Sequence, residues 1–527
     1  MIYGVMLDCS RNGVMTVNAV KEYVRIISEM GYNTLMLYTE DTYEVDNEPY
    51  FGYRRGKYSK EEIKEMDTYC QRVGVELIPC IQTLAHLQGV FKWDAYQEIR
   101  DCDDILLIGE ERTYEFLENM FSSISQCFSS RKIHIGMDEA YKVGLGKYLE
   151  KNGYKNRFNV INGHLHRVCD VAEKYGFEPM IWSDMFCKLA LNTEDYEGDV
   201  QKDPEEIRKL AALPDNISLV YWNYTSKDYD NYVNMIDVNR AFGKKVYFAG
   251  GAWTWRGFAP DNAFSMEVAT TAMKACIDCG IDGWFMTAWG DDGDECSKFA
   301  ILPTLMYTIE VAKGNSDLEV IKSKFKKITG ADFDAFLILD DLDISGAKYG
   351  GNPSKYFLYN DPFLGLNDYR ASKKNNESYR KLAEKIKNTD GKGPYEWLFD
   401  VYEKLCQILA IKCDLGVRTR EYYRAKDMDA LEKIACEEYI QTIEQIKIFH
   451  KALQKGWMQE KKPHGFDVQD IRIGALLQRL ESCRERLLEF ARGEIAGIPE
   501  LEEEILPGSC GQKWCRLVTA NAVSFLV

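Results

Sequence analysis

No stretch of this 527-residue chain is long and apolar enough to be read as a membrane span. Its opening, Met1 to Asp8, has neither a basic segment nor the apolar stretch of a secretion signal, so a cytoplasmic protein is expected. Positive charge is in short supply: 66 Lys and Arg against 83 Asp and Glu leave a net charge of −17. Nucleic acid and anionic membranes favour basic surfaces, so neither is expected as a partner. Histidine is scarcer still, at positions 86, 134, 164, 166, 450 and 464. His164 and His166 lie two apart on an expected helix and so face different directions, which argues against a metal-dependent hydrolase. Cys276 and Cys279 form a C-x-x-C without a second pair at zinc-site spacing; Cys510 and Cys515 come nearest to one. The 16 scattered cysteines read as free thiols in a reducing compartment. There is no repeat of fixed period, no low-complexity linker and no Gly-rich phosphate turn after the first apolar segment.

What the chain does have is an alternation of apolar runs with amphipathic segments. Strands are expected at Ile2–Leu7, Thr34–Tyr38, Glu76–Ile81, Lys132–Met137, Pro179–Trp182, Ile217–Trp222, Lys245–Ala249 and Gly283–Thr287. Helices are expected between them. Thr16 caps one that runs to Met30, and Ser59 with Glu62 forms a capping box for Lys60–Val73. Others follow near Arg112–Phe128, Asn159–Tyr175, Pro204–Ala212, Tyr229–Phe242, Ala263–Cys279 and Lys298–Ala312. Eight such units predict a TIM (β/α)8 barrel over residues 1–315, of the α/β class. Residues 316–527 read as an all-α C-terminal domain. Its helices are expected at Asp317–Ile328, Arg370–Asn388, Tyr395–Arg424, Asp427–Gln454 and Asp467–Glu494, with an aromatic loop at Ser354–Leu366. A homodimer interface and a wall of a substrate cleft are equally open roles for these helices.

Active sites of TIM barrels lie at the C-terminal ends of the strands. Here those ends are polar or aromatic where a core would place Val, Ile or Leu. They carry Asp8 and Arg11, Glu40 and Asp41, Gln82 and His86, Asp138 and Glu139, Trp182 and Asp184, Trp222 to Tyr224, Trp253 and Trp255, and Trp289 with Asp291 and Asp292. Five of the 10 tryptophans fall there. Aromatic faces beside carboxylates suit a pyranose, whose C–H faces are apolar and whose rim is hydroxylated. The run Lys132-Ile133-His134-Ile135-Gly136-Met137-Asp138-Glu139-Ala140 ends a strand in two adjacent carboxylates, with Gly136 admitting a close neighbour. Paired carboxylates are what glycoside hydrolysis needs. Their repulsion should raise one pKa, which suits a general acid.

His134-Ile135-Gly136-Met137-Asp138-Glu139 resembles the His/Asn-x-Gly-x-Asp-Glu signature of glycoside hydrolase family 20, the β-N-acetylhexosaminidases. The chain looks like a compact bacterial branch of that family, entering its barrel at Ile2 and ending in a helical extension. The resemblance implies an exo-acting enzyme that removes terminal β-linked GlcNAc or GalNAc by substrate-assisted retention through an oxazolinium intermediate, without a cofactor. It implies Glu139 as general acid and base, and Asp138 as holder of the acetamido N–H. His86 would be bonded toward the acid and in turn held by Asp41 or Glu40. Arg11 would bind the C3 and C4 hydroxyls. Trp182, Trp222 or Trp253, and Trp289 would surround the N-acetyl group, with Tyr224 on its oxygen. Asp291 would bind the C4 and C6 hydroxyls. A conventional two-carboxylate retaining glycosidase and a non-catalytic sugar-binding barrel remain open alternatives.

Overall fold

The computed structural model of the protein describes residues 1–191, 212–343 and 353–506, with the backbone alone at Asp292. The eight strands form: β1 (Ile2–Asp8), β2 (Thr34–Tyr38), β3 (Glu76–Cys80), β4 (Lys132–His134), β5 (Glu178–Trp182), β6 (Ser218–Trp222), β7 (Lys245–Gly251) and β8 (Gly283–Ala288). All pair in parallel and in sequence order, and β1 pairs with β8, closing the barrel. Closure brings backbones very near each other at Gly283. A Cβ there would lie 2.7 Å from both the amide nitrogen and the carbonyl oxygen of Ile2. The strand interiors are buried almost throughout, as expected of a parallel sheet covered by helices.

The helix starts follow the expected chemistry. Thr16 accepts the Ala19 N–H at 3.2 Å. Ser59 and Glu62 cap each other reciprocally at 3.2 and 2.9 Å. The expected helix Pro204–Ala212 lies, but for Ala212, outside the described residues, as do Cys510 and Cys515. After β5 the described helix is instead Asp184–Leu191, which starts two residues beyond Trp182. No described helix is long and apolar enough to cross a membrane.

The strand expected to run through Met137 stops sooner. Ladder bonds continue to Ile135 and Gly136, which face Met180 and Trp182. Then Gly136, Met137 and Glu139 take φ values of 72°, 71° and 50°. Successive side chains of a strand point to opposite faces. Two adjacent carboxylates can therefore serve one site only if the strand is broken beside them, and these left-handed residues break it. Met137 is still fully buried, so its apolar character reflected core packing and not strand membership.

By its internal contacts the chain separates into two compact units. One holds Met1–Trp253, Asn262–Trp289 and Thr304–Lys324; the other holds Thr254–Asp261, Gly290–Pro303 and Phe325 onward. Within the second unit the long helices are Lys373–Asn388, Glu396–Lys412, Leu415–Ala425, Ile440–Glu460 and Phe466–Ala491. The helix expected over Tyr395–Arg424 is thus two, divided at Cys413 and Asp414. That expected over Asp427–Gln454 is interrupted by a π turn at Ala435–Tyr439. The expected aromatic loop begins as a buried helix, Pro353–Tyr359. Three buried charges tie distant parts of this unit together: Glu295 accepts from Lys355 at 2.8 Å and from Arg472 at 2.9 Å. Phe258 packs edge-on against Phe449.

Candidate active site

The barrel's strand ends converge on Asp138. Its Oδ1 accepts Gln82 Nε2 at 2.8 Å, and its Oδ2 lies 3.2 Å from His86 Nε2. Gln82, fully buried after β3, also bonds the Tyr38 hydroxyl at 2.8 Å and accepts the Met137 N–H at 3.1 Å. A Cβ at position 136 would fall 2.0 Å from Gln82 Oε1, so Gly136 is what allows that side chain to reach the turn. Burial would raise the Asp138 pKa, but the charge and hydrogen bond of His86, the Gln82 bond and the charge of Arg11 outweigh it and hold the carboxyl at about 2. His86 responds in kind: burial lowers its pKa, Asp138 raises it further, and it ends at about 9. The two form an ion pair at neutral pH. His86 itself sits at φ 57°, its N–H donated to Asp104 at 3.1 Å.

Glu139 occupies a different environment. Its side chain is 42 % exposed, and Oε2 lies 3.6 Å from His86 Nε2. Tyr141 donates its hydroxyl to Oε1 at 3.2 Å. The Glu139 N–H is donated to Oδ2 of Asp184 at 3.1 Å. Of the two adjacent carboxylates the sequence expected one to rise in pKa. Asp138 is held low, and the carboxyl that packs against the pair, the fully buried Asp184, is pushed up to about 7 by burial and the neighbouring charge of Asp138. Repulsion is present as expected, but it acts on a third carboxyl, where the charge of Lys188 is too weak to offset burial and Asp138 as His86 does for Asp138.

Arg11 is held from the loop after β1, where Asp8 Oδ1 accepts the N–H groups of Ser10 and Arg11 at 2.8 and 3.2 Å. Its guanidinium pairs with Glu40, bonds the Tyr38 hydroxyl at 3.3 Å and lies over the Tyr38 and Trp289 rings. Burial raises the Glu40 pKa to about 6 against the pull of Arg11 and His86. Asp41 does not take the place beside His86 that the resemblance implied. It is fully buried and pairs with Arg55 at 3.2 Å. Glu40, the other acid considered, is the one whose charge acts on His86.

Aromatic rings wall the site. Trp182 lies 4.3 Å from the His134 ring and 6.1 Å from Trp289, and Trp289 meets Tyr38 edge-on at 4.8 Å. Trp222 stacks on Tyr224 at 5.2 Å. Burial pushes the Tyr224 phenol well up, against hydrogen bonds with Trp289 and Thr287. Trp253 donates its indole N–H to the Tyr224 carbonyl at 3.0 Å, so it supports Tyr224 from behind. His134 accepts the Gly136 N–H at 3.2 Å, and burial lowers its pKa to about 3, leaving a neutral structural ring. Asp291 opens a short 3-10 turn, Asp291–Gly293, that belongs to the second unit, as does Trp255. Tyr38 and Tyr141 were not singled out from the sequence. The first is the last residue of β2, a position that could have marked it; the second lies in an irregular loop with no such signal. Among the described residues no three His, Cys, Asp or Glu side chains gather as metal ligands would.

The chain is 23 % identical over 220 residues to human Hexosaminidase D, covering 40 % of this chain and 42 % of that protein. To bovine Hexosaminidase D it is 22 % identical over 270 residues, covering 48 % and 70 %. It therefore spans less than half the length of the human relative. Among solved structures, a β-N-acetylhexosaminidase from Bacteroides fragilis aligns with a TM-score of 0.46 at 19 % identity, covering 62 % of this chain and 69 % of that one. The model of the glycosyl hydrolase family 20 catalytic domain matches residues 3–235, the span that carries Arg11, His86, Asp138, Glu139 and Trp222. The model of the Glycoside Hydrolase 20C C-terminal domain matches residues 334–513. With a catalytic-domain match over six of the eight strands and a second match over the helical region, the chain belongs to glycoside hydrolase family 20.

Proposed function

We propose that this protein is an exo-acting β-N-acetylhexosaminidase that releases terminal β-linked GlcNAc or GalNAc by substrate-assisted retention. The observation that carries this reading is the unequal treatment of the adjacent carboxylates. Asp138 is pinned as an anion by His86 and Gln82, while Glu139 reaches the open side. An acid held at about 2 has no proton to give at neutral pH, so it suits the role of electrostatic partner. Glu139 would protonate the glycosidic oxygen as the anomeric C–O bond breaks. The substrate's acetamido oxygen would form the new bond to the anomeric carbon, and Asp138 would hold the acetamido N–H as positive charge develops on that group. Water would then open the oxazolinium ring, giving its proton to Glu139. Tyr224 would hold the acetamido oxygen, with Trp182 and Trp289 as walls, and Arg11 with Glu40 would meet the ring hydroxyls. In this reading residues 1–315 are the catalytic domain and 316–527 a helical one. The unpaired cysteines, such as buried Cys80, Cys169 and Cys406, fit the cytoplasm.

The test is hydrolysis of an aryl β-GlcNAc beside its β-GalNAc epimer and the matching β-glucoside. Turnover of either acetamido sugar without the glucoside is expected. Comparable turnover of the glucoside would replace this reading with a conventional two-carboxylate mechanism. Binding without turnover would replace it with a sugar-binding role.

A further inference from the structure

The Asp138–Glu139 turn rests on a carboxyl that the mechanism above does not use. Asp184 is the first residue of the helix Asp184–Leu191 and is fully buried. Its Oδ2 accepts the backbone N–H of Glu139 at 3.1 Å, and its Oδ1 is buried without a hydrogen-bond partner. Glu139 takes φ 50° and Met137 takes φ 71°, left-handed conformations unfavourable to a side-chain-bearing residue that persist only where the surroundings impose them. The Asp184 bond is a direct restraint on the amide of the residue so strained. The helix that carries Asp184 also carries Lys188, whose amine lies 3.3 Å from the Tyr141 hydroxyl, and Tyr141 in turn bonds Glu139 Oε1. One helix thus reaches Glu139 twice, through its backbone and through its side chain.

We infer that Asp184 is a positioning residue for the general acid: its carboxyl locks the strained Glu139 backbone so that Glu139 and Asp138 face the substrate together. The inference rests on the role proposed for Glu139. The groups facing Asp184 are Asp138 and Glu139 from the turn, Lys188 and Cys187 from its own helix, and Tyr141 from the following loop. Asp138 is already an anion. Asp184 ionises only near neutral pH, because burial and that anion oppose it.

Asp184→Asn and Asp184→Ala test that hydrogen bond. Asparagine keeps an oxygen that can accept the Glu139 N–H; alanine has none. With an aryl β-GlcNAc whose leaving group needs protonation, Asp184→Ala is expected to lose about 100-fold in kcat with KM changed by less than about threefold. Asp184→Asn is expected to recover most of that loss. Hydrogen exchange at the Glu139 amide, read without substrate, should be slow in the wild type and in Asp184→Asn and fast in Asp184→Ala. An asparagine variant as slow in catalysis as the alanine one, or equal amide exchange in all three proteins, would overturn the inference. A wild type that turns over no acetamido sugar would overturn the proposed function alone, since the exchange measurement would still decide whether Asp184 holds the turn.

Discussion

A histidine and two carboxylates do most of the work at the scale of single residues, and their charges give the sharpest predictions. Glu139→Gln should lower kcat/KM about 10²–10⁴-fold on substrates with poor leaving groups and much less on activated aryl glycosides. Asp138→Asn should be impaired on both, since the role proposed for it does not depend on the leaving group. Steady-state kinetics on a matched pair of substrates checks this, and equal retention in both variants would refute the assignment. The ion pair also fixes a pH window. Asp138 is depressed to about 2, so its contribution to stability is present above the ordinary carboxylate range and fades as pH falls from about 4 toward 2. His86 is raised to about 9, so its contribution is complete below about 6.5 and is lost as pH rises through 9. Thermal unfolding followed from pH 5 to 10 should show wild-type stability falling across the upper window, and a His86→Gln variant lacking that slope. Asp184 works in the opposite sense, as an acid whose folded pKa is raised. Keeping it costs stability above pH 7, and Asp184→Asn should gain about 2 kcal/mol at pH 8, measured by denaturant unfolding.

At the scale of elements, the barrel depends on two glycines for different reasons. Gly283 lets β8 close against β1, where an added methyl group would meet the backbone of Ile2. Backbone cannot rotate out of the way as a side chain can. Gly283→Ala should therefore destabilise the protein by about 3 kcal/mol, measured by denaturant unfolding. Gly136 lies at the end of β4, at φ 72°, with Gln82 where a Cβ would go. Gly136→Ala should displace Gln82 and so weaken the hold on Asp138. Its signature would be lost activity on all acetamido substrates, with stability lowered by about 2 kcal/mol. The β4 end thus combines a close approach, a left-handed turn and a strained glutamate within four residues. Such a cluster of conformations unfavourable in themselves is expected where function, and not folding, sets the geometry.

At the scale of the whole molecule, the two compact units differ in how they hold themselves together. The barrel buries near-continuous apolar strands. The second unit adds a buried charge cluster to its helix packing, with Glu295 shared by Lys355 and Arg472. Removing one partner from such a cluster strands the others without water. Glu295→Gln should therefore destabilise this unit by about 3 kcal/mol, seen as a lower unfolding midpoint for probes in the helical region. A double variant that adds Lys355→Met should regain part of the loss, because it removes one of the two cations that Glu295 balances.

The sequence by itself determined the periodic skeleton. Alternating apolar runs and capping residues such as Thr16 and Ser59 are local signals, and local physics decides where strands and helices begin. It also marked the strand ends as chemically unusual, and with them Arg11, His86, Asp138, Glu139 and the tryptophans. Partnerships were decided only in three dimensions. Asp41 and Glu40 are neighbours in the chain, yet one faces Arg55 and the other Arg11. Asp184 and Glu139 are far apart in sequence, yet one carboxyl holds the other's amide. Which acid is charged at neutral pH depends on burial and on the nearest cation. Both are properties of the folded barrel, set by how its loops cross, and a one-dimensional pattern does not contain them.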